Sequence, residues 1–241
     1  MSNDTVSCGT TGYPDRDALI HAVCTEGVLP DEESLLMVGR FQGFRALERI
    51  VLLHRYPGVD ELCRLSRSRV EEIIRRPLGQ RSDWKPEQML REIEQDRIWR
   101  RRGDNRFILW IGSSDYPEGL RRVYDAPAIL YGWGDRRLLA APDGNQRYVS
   151  VIGTRKPDRD GLAAAYIFGR DLARGGVHVV SGLARGIDGA AHRGVVAAGA
   201  VAAGAAASSR PGKAIAVLGS GIDHIYPREH RPLACDVIDQ G

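Results

Sequence analysis

Between residues 148 and 192 two short apolar segments occur in succession, each running into a glycine-bearing turn and then a helical pattern, and this limits the chain to very few folds. Residues 148–152 are apolar and rich in β-branched side chains, and the run breaks at Gly153. Residues 161–174 then set Leu162, Ala165, Tyr166, Phe168, Gly169 and Leu172 at helical spacing, and Gly175-Gly176 closes that helix. Residues 177–180 read as a second strand, 181–186 as a turn, and Asp188 stands where a helix N-cap is expected. A third unit follows, with a strand over 214–218, the turn Gly219-Ser220-Gly221 and a helix from about Arg228. Strands alternating with helices at this spacing predict an α/β unit with a doubly wound parallel sheet and right-handed crossovers. Ligands of such sheets bind beyond the carboxyl ends of the strands, which brings 153–156, 181–188 and 219–223 to one rim.

The first of these turns has a direct chemical reading. A glycine after a strand lets backbone N–H groups approach an anion, Thr154 adds a hydroxyl, and the Arg155 guanidinium can clamp a phosphate with two parallel hydrogen bonds. Lys156 raises the local positive potential. The same residues also suit a plain turn carrying a solvated arginine. No G-x-G-x-x-G follows the first strand and no G-x-x-x-x-G-K-[ST] occurs, so the dinucleotide fingerprint and the nucleotide-binding lysine are both missing. Asp188 and His192, four residues apart on one helix face, invite an acid–base reading. A capping aspartate and a packed histidine are preferred, because no nucleophile, metal set or second carboxylate accompanies the pair; Asp223 and His224 fall to the same argument. Arg185, in a loop of small residues, is expected to face the groove.

An ordered series of short motifs now becomes significant. Tyr116-Pro117 with Leu120, Asp125-Ala126-Pro127 and Leu130-Tyr131-Gly132 come first, then residues 151–155. Residues 181–188 with Ala191-His192, residues 215–219, Gly221-Ile222-Asp223 and Tyr226-Pro227 complete it. From residue 116 onward the chain resembles the DNA-processing protein A family (DprA, also called Smf), bacterial single-stranded-DNA-binding proteins that load the RecA recombinase during natural transformation. The resemblance implies a Rossmann-like fold. It also implies phosphate contacts from Gly153, Thr154, Arg155 and Lys156, with Ser181, Gly182, Arg185 and Gly186 on the neighbouring wall, and Gly219 and Gly221 as possible further contacts. It implies single-stranded DNA and the RecA recombinase as partners, with a homodimer possible, and no cofactor.

Two departures from the family pattern stand out. An alanine- and glycine-rich run over 195–207 replaces a short helix, and is expected either to extend that helix until Pro211 or to form a flexible insertion. The family's later F-P-x-R-N-R segment and the strands after it do not occur in these residues, so the sheet is expected to be incomplete at its C-terminal side. A truncated member without function is therefore one alternative. The other is a Rossmann-like nucleoside monophosphate phosphoribohydrolase, but that activity needs a P-G-G-x-G-T loop followed by a glutamate, and neither is found. The expectation is a protein that binds DNA and is not an enzyme.

Ahead of this domain, assigned to 107–241, helical periodicity runs over about 16–80, clearest over 35–53 and 59–74, and suggests that residues 1–80 form a small all-α domain of sterile-alpha-motif or helix-hairpin-helix type. Gly39 and Gly43 supply only part of a DNA-reading hairpin, and Phe41 and Phe44 suit packing, so a packing role is preferred. Residues 81–106 read as a linker and a helix. There Arg97, Arg100, Arg101, Arg102 and Arg106 interleave with Trp99 and Phe107. That pattern suits single-stranded nucleic acid, with Arg101 and Arg102 as possible DNA contacts, and it equally suits a solvated helix end before a strand. The whole chain of 241 residues has a net charge of only +3, from 34 Lys and Arg against 31 Asp and Glu, so DNA binding must come from local clusters. Four cysteines without C-x-x-C spacing argue against zinc or a disulfide framework and fit a cytoplasmic protein; no signal peptide or membrane span is evident.

Overall fold

The computed structural model describes residues 15–79, 82–103, 105–139, 146–203 and 211–240. The chain divides into two compact units between Gly132 and Trp133.

The first unit is mainly helical. Asp15 opens α1 (Arg16–Glu26), and Gly27, in the left-handed conformation, ends it. Asp31 caps α2 (Glu32–Arg40) by accepting the Ser34 N–H at 2.7 Å. Helix α3 (Ala46–Arg55) opens with the Glu48 carboxylate accepting the Arg45 N–H at 2.8 Å. Four short helices follow: α4 (Val59–Cys63), α5 (Arg67–Ile73), α6 (Pro86–Glu92) and α7 (Glu94–Arg101). Strand β1 (Arg106–Trp110), helix α8 (Glu118–Arg121) and strand β2 (Ile129–Trp133) complete the run, with β1 and β2 paired.

Both long periodic stretches of the sequence are thus broken. Residues 41–45 form a hairpin between α2 and α3, and Ser66 starts α5 afresh by accepting the Arg69 N–H at 3.2 Å. Phe41, Phe44 and Trp84 cluster under the hairpin with ring centroids 4.5–5.8 Å apart. Its backbone is engaged inside the unit, since Arg45 N–H goes to Glu48 and the Gly43 carbonyl accepts from Arg76 at 2.7 Å. Arg76 also holds the buried Glu48 carboxylate through two hydrogen bonds of 2.6 Å.

The second unit holds the three-stranded parallel sheet. A 3₁₀ turn (Arg136–Leu138) precedes β3 (Arg147–Ser150), α9 (Arg159–Arg174), β4 (Val177–Ser181), α10 (Ile187–Ala203), β5 (Ala214–Ala216) and α11 (Arg231–Gln240). The strand order is β3-β4-β5, with Tyr148 opposite His178 and Val180 opposite Ile215. This is an α/β, Rossmann-like arrangement, and its strands deliver their carboxyl ends to one side. Helix α9 is capped by Asp158, which accepts the Gly161 N–H at 2.7 Å.

Helices α9 and α10 pack through small residues. A Cβ on Gly169 would lie 2.3 Å from the Ala191 carbonyl oxygen, and one on Gly194 only 2.1 Å from that of Tyr166. The core is built to match, from Ala173, Val179, Ala191, Val195, Ala198, Ala214 and Val237. The Ala-rich run therefore extends α10 as far as Ala203, while residues 204–210 lie outside the described residues.

Candidate functional site

Three loops leave the carboxyl ends of β3, β4 and β5, and the first two are pressed tightly together. Gly186 sits at φ +78°, and a Cβ there would be 2.2 Å from the Thr154 carbonyl oxygen. A Cβ on Gly153 would be 2.6 Å from the Ile187 side chain, at the start of α10. Only glycine permits both approaches. The Ile187 N–H donates to the Thr154 carbonyl at 3.3 Å, so the first loop is stitched onto the first residue of α10. The Thr154 hydroxyl accepts the Lys156 N–H at 3.2 Å and folds the Gly-Thr-Arg-Lys segment into a compact turn.

The second loop is fixed from beneath. The Ser181 hydroxyl donates to the Val151 carbonyl at 2.6 Å, and Asp188 accepts the Gly182 N–H at 3.1 Å. Asp188 therefore lies inside the first turn of α10, one residue past its start, rather than at the N-cap position, and its carboxylate braces the loop before the helix. Leu183, a branched residue at φ +56°, is held in that conformation by complete burial against Leu233 and Ala234. His192 is wholly buried, with no regular hydrogen bond to either ring nitrogen among the described residues. Burial pushes its pKa down to about 4, against smaller upward pulls from the Ser181 backbone and the Asp188 carboxylate.

The third loop is anchored by His230, whose Nδ1 lies 2.8 Å from the Leu183 carbonyl. Its imidazole fills the space that a Cβ on Gly189 would need. The Tyr226–Pro227 bond is cis, and the Tyr226 ring is 61% exposed with the Arg185 guanidinium 5.8 Å from its centre.

Between the loops lies an open cleft of about 290 Å³, lined by Arg155, Gly182, Ala184, Arg185, Leu218, Gly219, Ser220, Tyr226 and Pro227. Four residues singled out from the sequence meet there: Arg155, Gly182, Arg185 and Gly219. Gly153, Thr154 and Lys156 form the adjoining turn, all exposed. Ser181 and Gly186 serve the frame instead, the first through its bond to Val151 and the second through its contact with Thr154. Gly221 stands outside the lining, where its carbonyl accepts the His224 N–H at 2.8 Å.

Arg101 and Arg102 belong to the first unit, exposed at the C-terminal end of α7, while the cleft is built from the second unit alone. Their aromatic neighbours are packing residues: Trp99 and Phe107 are buried, and Arg106 is itself buried over the Trp99 ring at 5.1 Å. Ser220 falls within the predicted rim segment 219–223, while Leu218 and Tyr226 join the lining from outside the rim segments, each from one of the family-like motifs.

A cleft of this kind puts two guanidinium groups, glycine backbone and an exposed ring at the end of a parallel sheet. That combination suits a phosphate ester carrying a flat group. Asp188 and His192 lie behind the loops and do not line it.

Comparison with known proteins agrees with the motif series. Residues 107–241 match the family model for DNA recombination-mediator protein A. DNA processing protein DprA of Bacillus subtilis is 36% identical over 124 residues, 52% of this chain and 36% of that protein. The chain thus spans little more than a third of the length of that relative. The structure of DprA from Streptococcus pneumoniae superposes with a TM-score of 0.55 at 24% identity, over 85% of this chain and 64% of that one. DprA from Helicobacter pylori, a protein that binds single-stranded DNA, aligns over 55% of this chain and 51% of its own at 24% identity and a TM-score of 0.43. With more than half of its residues matching the family model, the chain belongs to the DNA recombination-mediator protein A family.

Proposed function

We propose that the strand-end cleft of the second unit binds the backbone of single-stranded DNA, and that the chain serves in DNA processing by holding the strand rather than by altering it. The observation that carries this reading is the convergence of Arg155 and Arg185 with glycine backbone and the Tyr226 ring in one cleft of about 290 Å³. Guanidinium groups answer the phosphate charge, and an exposed ring offers a surface on which a base can stack. The buried polar groups nearby support a binding role. Asp188 is committed to the Gly182 N–H, and His192 is sealed away from the cleft with a depressed pKa. Handing the bound strand to a RecA-type recombinase, acting as a dimer and working in the cytoplasm belong to the same reading.

The test is a fluorescence anisotropy titration of labelled oligo-dT at two salt concentrations, with a duplex competitor, on the natural chain and on Arg155→Ala. Salt-sensitive, single-strand-selective binding is expected. Losing one phosphate contact in the variant should flatten the log–log salt slope by about 0.7. An unchanged slope and affinity would remove Arg155 from the site, and release of free base from AMP would replace binding with hydrolysis.

A further inference from the structure

The cationic face of the cleft is already partly occupied by the protein's own carboxylate. Glu229 Oε1 lies 2.5 Å from Arg185 Nε. It comes from the 3₁₀ turn Arg228–His230, just before α11, 44 residues away along the chain. The pairing is not an accident of a loose loop. The next residue, His230, is buried and pinned to the Leu183 carbonyl, so the backbone at 229 is fixed to the very loop that carries Arg185. The Glu229 side chain is itself half exposed, as is that of Arg185, so the pair faces solvent, and it is Arg185 that lines the cleft.

We propose that Glu229 is an intramolecular competitor for the incoming phosphate, occupying Arg185 until DNA displaces it and so setting how tightly the cleft binds. The inference rests on the phosphate-binding reading of the same cleft. A carboxylate and a phosphate oxygen are alternative acceptors for one guanidinium edge, and a carboxylate beside the site also repels a polyanion. The Arg185 hydrogen bond holds Glu229 below the usual carboxylate range, so it is charged wherever DNA would be bound. The charged groups that act on it are Arg185 and His230, while Tyr226 acts on Arg185. An exposed ion pair is weak, which is what a displaceable occupant requires; a buried pair would close the cleft permanently. Arg155, on the opposite loop, remains available for first contact, so Arg185 joins once the strand is near enough to compete.

The experiment is the same oligo-dT titration on four proteins: the natural chain, Glu229→Gln, Arg185→Ala and the double variant, each checked by thermal melting. The natural chain tests the underlying reading, and the ratios among the four test the competitor. Glu229→Gln keeps the shape of the side chain and removes its charge. Its affinity should rise by up to about fivefold, the most an exposed ion pair is worth, and the gain should disappear when Arg185 is alanine. Equal or weaker binding by Glu229→Gln overturns the proposal, because a residue that merely orients Arg185 would be missed on removal. A gain that persists in the Arg185→Ala background also overturns it, showing a diffuse charge effect in place of competition. Silence from all four proteins refutes the phosphate-binding reading itself, and the competitor with it. Binding by Glu229→Gln alone supports both.

Discussion

His192 makes the second unit's stability depend on pH in a way that can be worked out from the structure. The imidazole is completely buried on α10, and its pKa falls from 6.5 to about 4 because burial disfavours the charged ring. The Asp188 carboxylate, four residues back, pulls the other way, and His230 adds to the fall. Since the folded pKa lies below the unfolded one, the unfolded chain binds the proton first as the solution is acidified. The neutral ring's contribution is therefore complete above pH 6.5. It is lost progressively as pH falls toward 4, below which both states are protonated and no more is lost. A shift of this size corresponds to about 3 kcal/mol at 1.36 kcal/mol per pH unit. The comparison that isolates it is His192→Leu, which keeps a buried apolar side chain and removes the proton site. Urea unfolding at pH 7.5, 6.5, 5.5 and 4.5, read by amide exchange along α10, separates this unit from the helical one. Carboxylates held low by arginines, such as Asp171 and Asp135, also lose stability in acid, but they do so equally in both proteins and cancel in the difference. The natural chain should lose about 2.5 kcal/mol more than His192→Leu between pH 7.5 and 4.5. Parallel pH curves for the two proteins would refute the reasoning, and would mean that the ring is hydrated or hydrogen-bonded in solution.

The glycines of the rim give a contrasting pair. Gly186→Ala forces a side chain into a positive φ and against the Thr154 carbonyl, so it should cost about 1–3 kcal/mol and weaken oligo-dT binding by displacing the Gly-Thr-Arg turn; Gly219→Ala, with no described residue within 4 Å of its new Cβ, should melt like the natural chain. A calorimetric scan of both variants decides it. In the first unit, Arg76→Ala strips the guanidinium from a Glu48 carboxylate only 1% exposed and should destabilise that unit by about 3 kcal/mol or more, seen as an earlier urea transition in the α3 amides.

Much of the second unit is legible in its sequence, for identifiable reasons. Short β-branched runs ending at glycine have few other interpretations, and β3, α9 and β4 begin and end within two residues of where the pattern put them. The third strand is two residues shorter than its apolar run over 214–218. Its ladder ends at Ala216, although the Val217 N–H still reaches the Ser181 carbonyl at 2.9 Å. The helical unit was harder to divide. Apolar periodicity runs unbroken through Phe41 and Phe44 because those rings pack inward from a turn as readily as from a helix, and periodicity registers burial, not backbone conformation. Asp188 shows a similar ambiguity. Aspartate is enriched at N-caps and in first turns alike, and here its acceptor serves a loop N–H six residues earlier.

The cleft separates what local sequence encodes from what only folding brings together. Arg155 is legible in the sequence because the local features of its turn are adjacent, a glycine ending a strand, a hydroxyl that closes the turn, a proline and a capped helix behind, whereas the contacts of Gly186 and Ile187 that hold the turn in place come from the next loop. Arg185 could be chosen because its loop is otherwise made of small residues. Glu229 could not, since nothing about Arg-Glu-His in sequence announces a partner 44 residues upstream. Its effect depends on His230 fastening one loop to the other, and that bond is made to a backbone carbonyl, which any residue supplies. The consequence is testable in sequence space as well as in a cuvette. If the Glu229 carboxylate sets affinity only through Arg185, exchanging the two charges by Arg185→Glu with Glu229→Arg should restore a cation at the mouth of the cleft and much of the binding that Arg185→Glu alone destroys. If Arg185 instead acts from its own loop with a geometry no other position can reproduce, the exchanged protein will fold and still fail to bind.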